Sequence, residues 1–200
     1  MSIGASLQSL FQGKLEKALG VSERLMLQYS ANGDEAPLAA LFDLHSTKLF
    51  YFLKVLSDST IAEDICQRTW IKVIEHRHLF KRGDNFQAWL FTIGRRALID
   101  EFRKNAKLEY SNEAVEAFTV SELLKHAQSS VEDDVAKGLE KDVFKACLAQ
   151  LPYKQKEALS LQFEGFSLSQ IADMCGAEKE TDKTRIRYAK ESLKNMLEKL

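Results

Sequence analysis

Cysteine, proline and glycine are all scarce in this 200-residue sequence, which contains 3, 2 and 9 of them. Because proline and glycine interrupt helices, their scarcity favours long helices over a turn-rich β-sandwich. The three cysteines are isolated and odd in number, so neither a disulfide scaffold nor a structural zinc site is expected. The composition is otherwise that of a globular protein, with 45% hydrophobic and 28% charged residues.

Long apolar runs are absent as well, since no stretch reaches the roughly 18 residues of a membrane span. The first residues lack the basic flank and apolar block of a signal peptide. No phosphate-binding glycine loop occurs, and His76 and His78 would diverge by about 200° on a helix, which disfavours a shared metal. We therefore expect a cytoplasmic protein without membrane insertion, enzymatic activity, metal or cofactor.

Charge is unevenly distributed, although the net charge is only −1. Residues 68–107 contain ten basic and four acidic side chains, whereas residues 108–142 contain three basic and nine acidic ones. This segregation fits a basic surface for nucleic acid followed by an acidic connector. Solvated helix faces of differing sign are the alternative.

The hydrophobic pattern is helical almost throughout, so an all-α fold is predicted. Apolar spacings of three and four predict helices over 7–19, 35–56, 60–77 and 86–105, the last capped by Asn85. Residues 107–131 are acidic and weakly periodic. The predicted organisation is an N-terminal extension (1–20), a first helical domain (21–106), an acidic linker (107–131) and a second helical domain (132–200).

The predicted helix from Phe86 has two apolar stripes, with Arg96 and Arg103 between them on a third side. A helix that is buried on two sides and basic on the third fits a surface that follows phosphates. Trp89 belongs to one stripe and is interpreted as mainly structural, with base stacking as the alternative. The preceding loop, residues 80–85, has a composition suited to a displaced base, although an ordinary capping loop has the same one.

The predicted helix from Thr60 has a polar side that includes one isoleucine, Ile71. A lone exposed isoleucine needs no explanation. One that is surrounded by side chains such as Asp64 and Gln67 fits a protein-docking surface.

Residues 167–200 have the layout of a helix-turn-helix. Ser167 and Gln170 match a capping box, Gly176 provides the turn, and the next helix begins with basic and hydroxyl residues. The alternative is an αα-hairpin with a solvated basic face.

Short motifs recur in a defined order along the chain. The first domain contains Asn32 to Ala36, then Ala62 to Asp64 with Gln67 and Trp70, then Phe86 to Phe91 with Ile93. The second contains Leu151-Pro152, Lys156 to Ala158, Glu164 to Ser167 and Ile171-Ala172. In order and spacing they resemble regions two and four of a group IV (extracytoplasmic-function, ECF) sigma factor of the sigma-70 family. The resemblance covers about Leu25 to Leu200.

This resemblance implies an alternative sigma factor that binds the β′ and β subunits of core RNA polymerase, melts specific promoters and directs transcription of a stress- or signal-responsive regulon. The residues it implies for polymerase docking are Glu63, Asp64, Gln67, Arg68 and Ile71. Those implied for the melted minus-ten element are Lys81, Arg82, Asp84, Asn85, Trp89, Arg95, Arg96 and Arg103. Those implied for the minus-thirty-five element are Thr181, Lys183, Thr184, Arg185 and Arg187.

The sequence departs from the family pattern at several positions. Ile61 and Arg68 stand where relatives usually carry carboxylates on the docking helix, and Arg96 stands where asparagine is usual. In the last helix, Lys179 and Asp182 replace residues that are usually apolar, and both are predicted to project toward the buried stripe.

The missing docking charge suggests that phosphorylation of Thr60 by a Ser/Thr kinase strengthens polymerase binding, because a phosphate adds about −1.5 to −2 charges. A simple N-cap role for Thr60 is the alternative. Sequestration by an anti-sigma factor is the more usual control in the family. The alternative to the sigma-factor hypothesis is a helix-turn-helix regulator that binds promoter DNA without docking on core polymerase.

Overall fold

Eight α-helices and one short 3-10 helix occupy residues 19–109 and 138–198, which are the residues described by this computed structural model. The N-terminal group comprises α1 (Val21–Asn32), α2 (Glu35–Leu56), α3 (Ser59–Glu75), the 3-10 helix (Arg77–Leu79) and α4 (Phe86–Glu109). The C-terminal group comprises α5 (Gly138–Ala149), α6 (Tyr153–Phe163), α7 (Leu168–Cys175) and α8 (Lys179–Leu197). These residues contain no strand, which confirms the all-α fold. None of these helices is long and apolar enough to span a membrane.

The helix ends agree with the predicted ones where a local signal sets them. The bounds of α2 are as predicted, and α4 begins at Phe86 but continues to Glu109, so the first residues assigned to the linker are helical. The predicted helix over 60–77 is α3 followed by the 3-10 helix. The predicted helix over 7–19 lies almost entirely outside the described residues, and so does the linker beyond 109.

Side-chain caps begin three of the helices. The Asn85 carboxamide oxygen accepts a hydrogen bond from the Ala88 N–H at 2.8 Å, and Ser167 forms the predicted capping box with Gln170. The carboxylate of Asp58 accepts from the Ile61 N–H at 2.9 Å, so Asp58 is the N-cap of α3. The N-cap interpretation of Thr60 is therefore wrong, because Thr60 lies inside the first turn.

The core of the N-terminal group contains a cluster of aromatic rings around Phe86, which is fully buried. Trp89 packs its ring 5.5 Å from Phe80 and 6.2 Å from Phe86, between ring centroids. The ring of Trp70 lies 6.4 Å from that of Phe86. Trp89 thus contributes to the core, as the periodicity predicted.

The two groups of helices share one hydrophobic cluster. Phe91 of α4 lies 5.1 Å from Phe52 of α2 and 5.2 Å from Phe166, which precedes α7. Farther along α4, Phe102 lies 6.2 Å from Tyr153 at the start of α6. As a result, α4 is buried against both groups and positions the charged residues described next.

Candidate protein and nucleic-acid interfaces

One face of α3 is polar, exposed and continuous. Glu63, Asp64, Gln67 and Ile71 are all exposed, and the exposed fraction of Ile71 is 52%. The structure therefore brings four of the five predicted docking residues onto one accessible surface, which we call the α3 face. An apolar residue within a polar rim is the arrangement found in protein interfaces.

Arg68 is turned away from this face toward α4. Its Nη2 atom lies 2.9 Å from Asp64 Oδ2 and 2.7 Å from Glu101 Oε2. Because Glu101 belongs to α4, the guanidinium group joins the two helices. Arg68 thus partly neutralises Asp64, a carboxylate of the α3 face.

The sequence analysis missed two apolar residues near this face. Ile74 is 45% exposed and follows Ile71 by three positions, so both lie on neighbouring parts of α3. Phe42 of α2 is 49% exposed and packs 5.2 Å from Trp70 of α3, between ring centroids. Its ring covers Trp70 at the edge of the core. The i, i+3 spacing of Ile71 and Ile74 was the available signal.

The loop before α4 is held by its own polar side chains. Asp84 Oδ2 accepts a hydrogen bond from the Lys81 N–H at 3.0 Å, and Asn85 caps α4. Gly83 has a φ of 102°, a conformation that favours glycine. Lys81 and Arg82 are exposed. The loop therefore presents two basic side chains from a fixed backbone.

The predicted basic residues of α4 lie in two different environments. Arg96 and Arg103 are exposed, whereas Arg95 is only 7% exposed. Arg95 Nε donates to Glu157 Oε1 at 2.8 Å, and its Nη2 donates to Glu157 Oε2 at 3.4 Å. Arg95 is therefore not on the exposed side of α4 that carries Arg96 and Arg103, although the family resemblance groups the three, because a fully buried carboxylate of α6 pairs with it.

The surroundings of this pair shift several pKa values. Burial opposes the charge of Arg95, but Glu157 outweighs that effect, so the pKa of the guanidinium lies above its usual value. Burial and the nearby Glu157 charge raise the pKa of the Cys175 thiol to about 12, and burial also raises that of Tyr153. Arg95 is therefore charged, and the side chains of Cys175 and Tyr153 are neutral, at neutral pH.

A cleft of about 430 Å³ lies between α3 and α4. We call it the α3–α4 cleft, and its lining residues are Arg68, Lys72, Ala97, Asp100, Arg103 and Lys104. Four of the six are cationic and one is acidic. Lys72 and Lys104 were not among the predicted site residues.

The start of α8 presents the predicted recognition residues unequally. Thr181, Lys183 and Arg187 are exposed, while Thr184 and Arg185 are half-buried. The Arg185 guanidinium pairs with the carboxylate of Asp182 at 2.8 Å.

The two residues of α8 that depart from the family pattern differ in burial. Asp182 is fully buried, as predicted, but Lys179 is exposed. Lys179 is the first residue of the helix and precedes its first buried residue, Asp182, by three positions, so its side chain reaches solvent.

Two family models match the chain. One is Sigma-70 region 2, which matches residues 41–108, and the other is Sigma-70, region 4, which matches residues 141–193. The first covers α3, the loop and most of α4, and the second covers α6, α7 and most of α8. The faces described above therefore fall inside the two matched regions.

Named proteins and a solved structure are similar over most of the chain. The ECF RNA polymerase sigma factor SigL of Mycobacterium tuberculosis is 30% identical over 176 residues, covering 86% of this chain and 94% of SigL. EcfG, an ECF RNA polymerase sigma factor of Rhodopseudomonas palustris, is 31% identical over 137 residues, covering 68% and 71%. The Bartonella quintana sigma factor RpoE, solved with the anti-sigma factor NepR, superimposes with a TM-score of 0.64 at 27% identity, covering 78% of this chain and 94% of RpoE.

Regions 2 and 4 follow one another on a single all-α fold. SigL and EcfG are similar to this chain in sequence, and the RpoE structure is similar to it in fold. Both named relatives, SigL and EcfG, are ECF RNA polymerase sigma factors. The chain belongs to the ECF sigma factors of the sigma-70 family.

Proposed function

We propose that this sigma factor binds core RNA polymerase through the α3 face and promoter DNA through α4 and α8. The observation that carries the proposal is the α3 face, which is accessible and lies on a different helix from the exposed basic residues of α4. A protein partner and a DNA strand can therefore be bound at the same time. Asp64, Gln67 and Ile71 contact the β′ subunit of the polymerase.

The exposed cations around α4 serve the melted minus-ten element. Lys81 and Arg82 lie on the loop, and Arg96 and Arg103 lie on the helix. Contacts to an unpaired strand and a flipped base offset the free energy lost in unstacking the duplex. The helix α8 enters the major groove at the minus-thirty-five element, where its exposed residues Thr181, Lys183 and Arg187 contact the DNA.

The contact between the two groups of helices has to open during this cycle. Arg95 is paired with Glu157 beneath α6, so it becomes available to DNA only when α6 leaves α4. We propose that the arrangement described here is the resting form and that an anti-sigma protein holds it. The similarity to RpoE, which was solved with an anti-sigma factor, supports this proposal.

Phosphorylation of Thr60 is a second control that the local geometry supports. Thr60 is exposed, lies in the first turn of α3 and precedes Asp64 by one turn. A phosphate there would face the positive end of the helix dipole and add charge to the α3 face, where Arg68 partly neutralises Asp64. The Thr60→Glu variant is expected to bind core polymerase roughly 3- to 10-fold more tightly, which corresponds to about 1 kcal/mol.

Transcription in vitro with purified core polymerase on a promoter library tests the function. We expect transcripts from a defined subset of promoters only when the chain and the core enzyme are both present. Gel shifts with and without core enzyme separate this function from that of a helix-turn-helix regulator. Tight promoter binding by the chain alone, without any complex with polymerase, would favour the regulator instead.

A further inference from the structure

The α3–α4 cleft has the composition of an anion site. Its walls carry Arg68 and Lys72 from α3 and Arg103 and Lys104 from α4, against one lining carboxylate, Asp100. The volume of about 430 Å³ is more than ten times the roughly 30 Å³ of a water molecule, so a sugar-phosphate backbone can enter.

The charges in this cleft are available to a ligand. Lys72 and Lys104 form no ion pair within the part of the chain that the structure describes. Arg103 lies 3.7 Å from Asp100, and both side chains are more than 60% exposed, so water and salt screen the pair. Since Lys72 and Lys104 are not paired in this way within the described residues, a bound anion relieves the repulsion between the cationic groups of the cleft.

Arg68 lines the cleft and is anchored by two carboxylates. Asp64 and Glu101 both contact its Nη2 atom, at 2.9 and 2.7 Å. An arginine that is anchored in this way loses little conformational freedom on binding, and its remaining N–H groups suit phosphate oxygens. A mobile surface lysine offers charge without this geometry.

The cleft continues the exposed basic side of α4. Arg103 lines it, and Arg96 lies two turns earlier on the same helix and is also exposed. We propose that the α3–α4 cleft binds backbone phosphates of the promoter DNA, with Lys72 and Lys104 as additional contacts. This inference rests on the function proposed above and extends the promoter surface from α4 onto α3.

The proposed contact also lies beside the α3 face. Lys72 directly follows Ile71 in sequence, and Arg68 touches Asp64 of that face. Promoter phosphates would therefore bind next to the polymerase contact. A phosphate at Arg68 would compete with Asp64 for the guanidinium and leave that carboxylate free to bind polymerase.

The experiment uses the complete chain bound to core polymerase and a promoter selected from the library. Affinity for that promoter is measured against salt for the wild type and for the double variant Lys72→Gln, Lys104→Gln. Loss of two phosphate contacts should reduce the slope of log K against log salt by about 2 and weaken binding roughly 5- to 30-fold. The variant Lys190→Gln, which removes an exposed lysine of α8 outside the predicted recognition residues, is the control for the loss of a surface cation and should leave the slope unchanged.

Methylphosphonate linkages identify the phosphates involved. Replacing single promoter phosphates by neutral linkages should weaken wild-type binding at one or two positions, and the double variant should be insensitive at those same positions. Inorganic tripolyphosphate, titrated onto the free chain, distinguishes a small-anion site. Binding of tripolyphosphate with an unchanged DNA slope would overturn the DNA assignment.

Three other outcomes are informative. If the double variant fails to bind core polymerase while Lys190→Gln binds normally, the cleft serves docking and the inference is wrong. If the wild type itself neither binds core polymerase nor selects a promoter, the proposed function fails. An unchanged salt slope in a variant that docks and transcribes overturns the phosphate site alone.

Discussion

Two sets of charged residues lie along α4, and they are held in opposite environments. At the junction with α6, Arg95 is 7% exposed and Glu157 is completely buried. At the α3–α4 cleft, the side chains of Arg103 and Asp100 are 68% and 61% exposed. The comparison shows that charge on one helix can join two groups of helices at one point and remain available to an anion at another. Sequence position alone does not distinguish the two.

The junction is expected to respond most strongly to mutation. Replacing Glu157 by Gln leaves the buried Arg95 guanidinium without a counter-charge, and such a loss typically costs about 3 kcal/mol or more. We expect the free energy of unfolding to fall by about 3 kcal/mol, at the lower end of this range, because separation of α6 from α4 can rehydrate Arg95. Urea denaturation followed by circular dichroism measures the change.

The matched control is Glu101→Gln, which also removes the carboxylate partner of an arginine. Glu101 is 23% exposed and Arg68 is 34% exposed, so the expected loss is below about 1 kcal/mol. Equal losses in the two variants would contradict the contrast between the junction and the cleft. Adding Arg95→Met to Glu157→Met should recover part of the stability, because no buried charge then remains.

Replacement of Lys156, a buried lysine next to Glu157 in sequence, is expected to have the next largest effect on the free energy of unfolding. Lys156 is 1% exposed, and burial lowers the pKa of its amine. We expect Lys156→Met to raise the free energy of unfolding by roughly 1–2 kcal/mol at pH 7, because the wild type keeps a desolvated amine there. The exposed Lys104→Met is the control and should change it by less than about 0.5 kcal/mol.

The pH dependence of Lys156→Met has a definite sign. Since the pKa of Lys156 is lower in the folded chain than in the unfolded chain, the unfolded chain binds more protons between the two values. The free energy of unfolding of the wild type therefore rises with pH across that range. The difference between Lys156→Met and the wild type should become smaller as the pH approaches about 10.4, the pKa of an unperturbed lysine. Urea titrations at several pH values between neutrality and this limit test the direction.

Much of the fold follows from local signals in the sequence. The cap at Asn85 and the capping box at Ser167 act within three residues, and the structure contains both. The exposed α3 face follows from the 100° spacing that relates Asp64, Gln67 and Ile71. These features are predictable because each depends on a few neighbouring residues.

The charged sites depend on distant residues and were not predictable. Arg95 and Glu157 are 62 positions apart, so nothing in the pattern of α4 indicated the pair, and the family resemblance grouped Arg95 with its exposed neighbours. Lys72 joins Lys104 only because α3 and α4 pack together, and no spacing within either helix indicates this. Periodicity shows which side of a helix is polar, while the partner across the interface decides whether a charge is buried.

The start of α4 affects both sets of charges, since the helix carries them both. Asn85→Ala removes the side chain that accepts from the Ala88 N–H, and loss of such a cap typically costs about 1 kcal/mol. We expect urea denaturation to show a decrease of this size in the free energy of unfolding. Promoter binding should also weaken if the first turn of α4 frays. Asp84→Ala, which removes a hydrogen bond within the exposed loop, should cost less, about 0.5 kcal/mol. A larger loss for Asp84→Ala would contradict the assignment of the cap.

The substitution with the smallest expected effect distinguishes the buried Arg95–Glu157 junction from the exposed α3–α4 cleft most directly. Lys104→Gln removes one exposed cation from the α3–α4 cleft and should change the free energy of unfolding by less than about 0.5 kcal/mol at low salt. At about 1 M salt the Debye length falls to about 3 Å, so the effect should disappear. The loss caused by Glu157→Gln should persist at that salt concentration, because ions do not enter the buried junction. If both effects vanished together, the Arg95–Glu157 pair would be accessible to solvent, and the charges of the junction and the cleft would be equivalent.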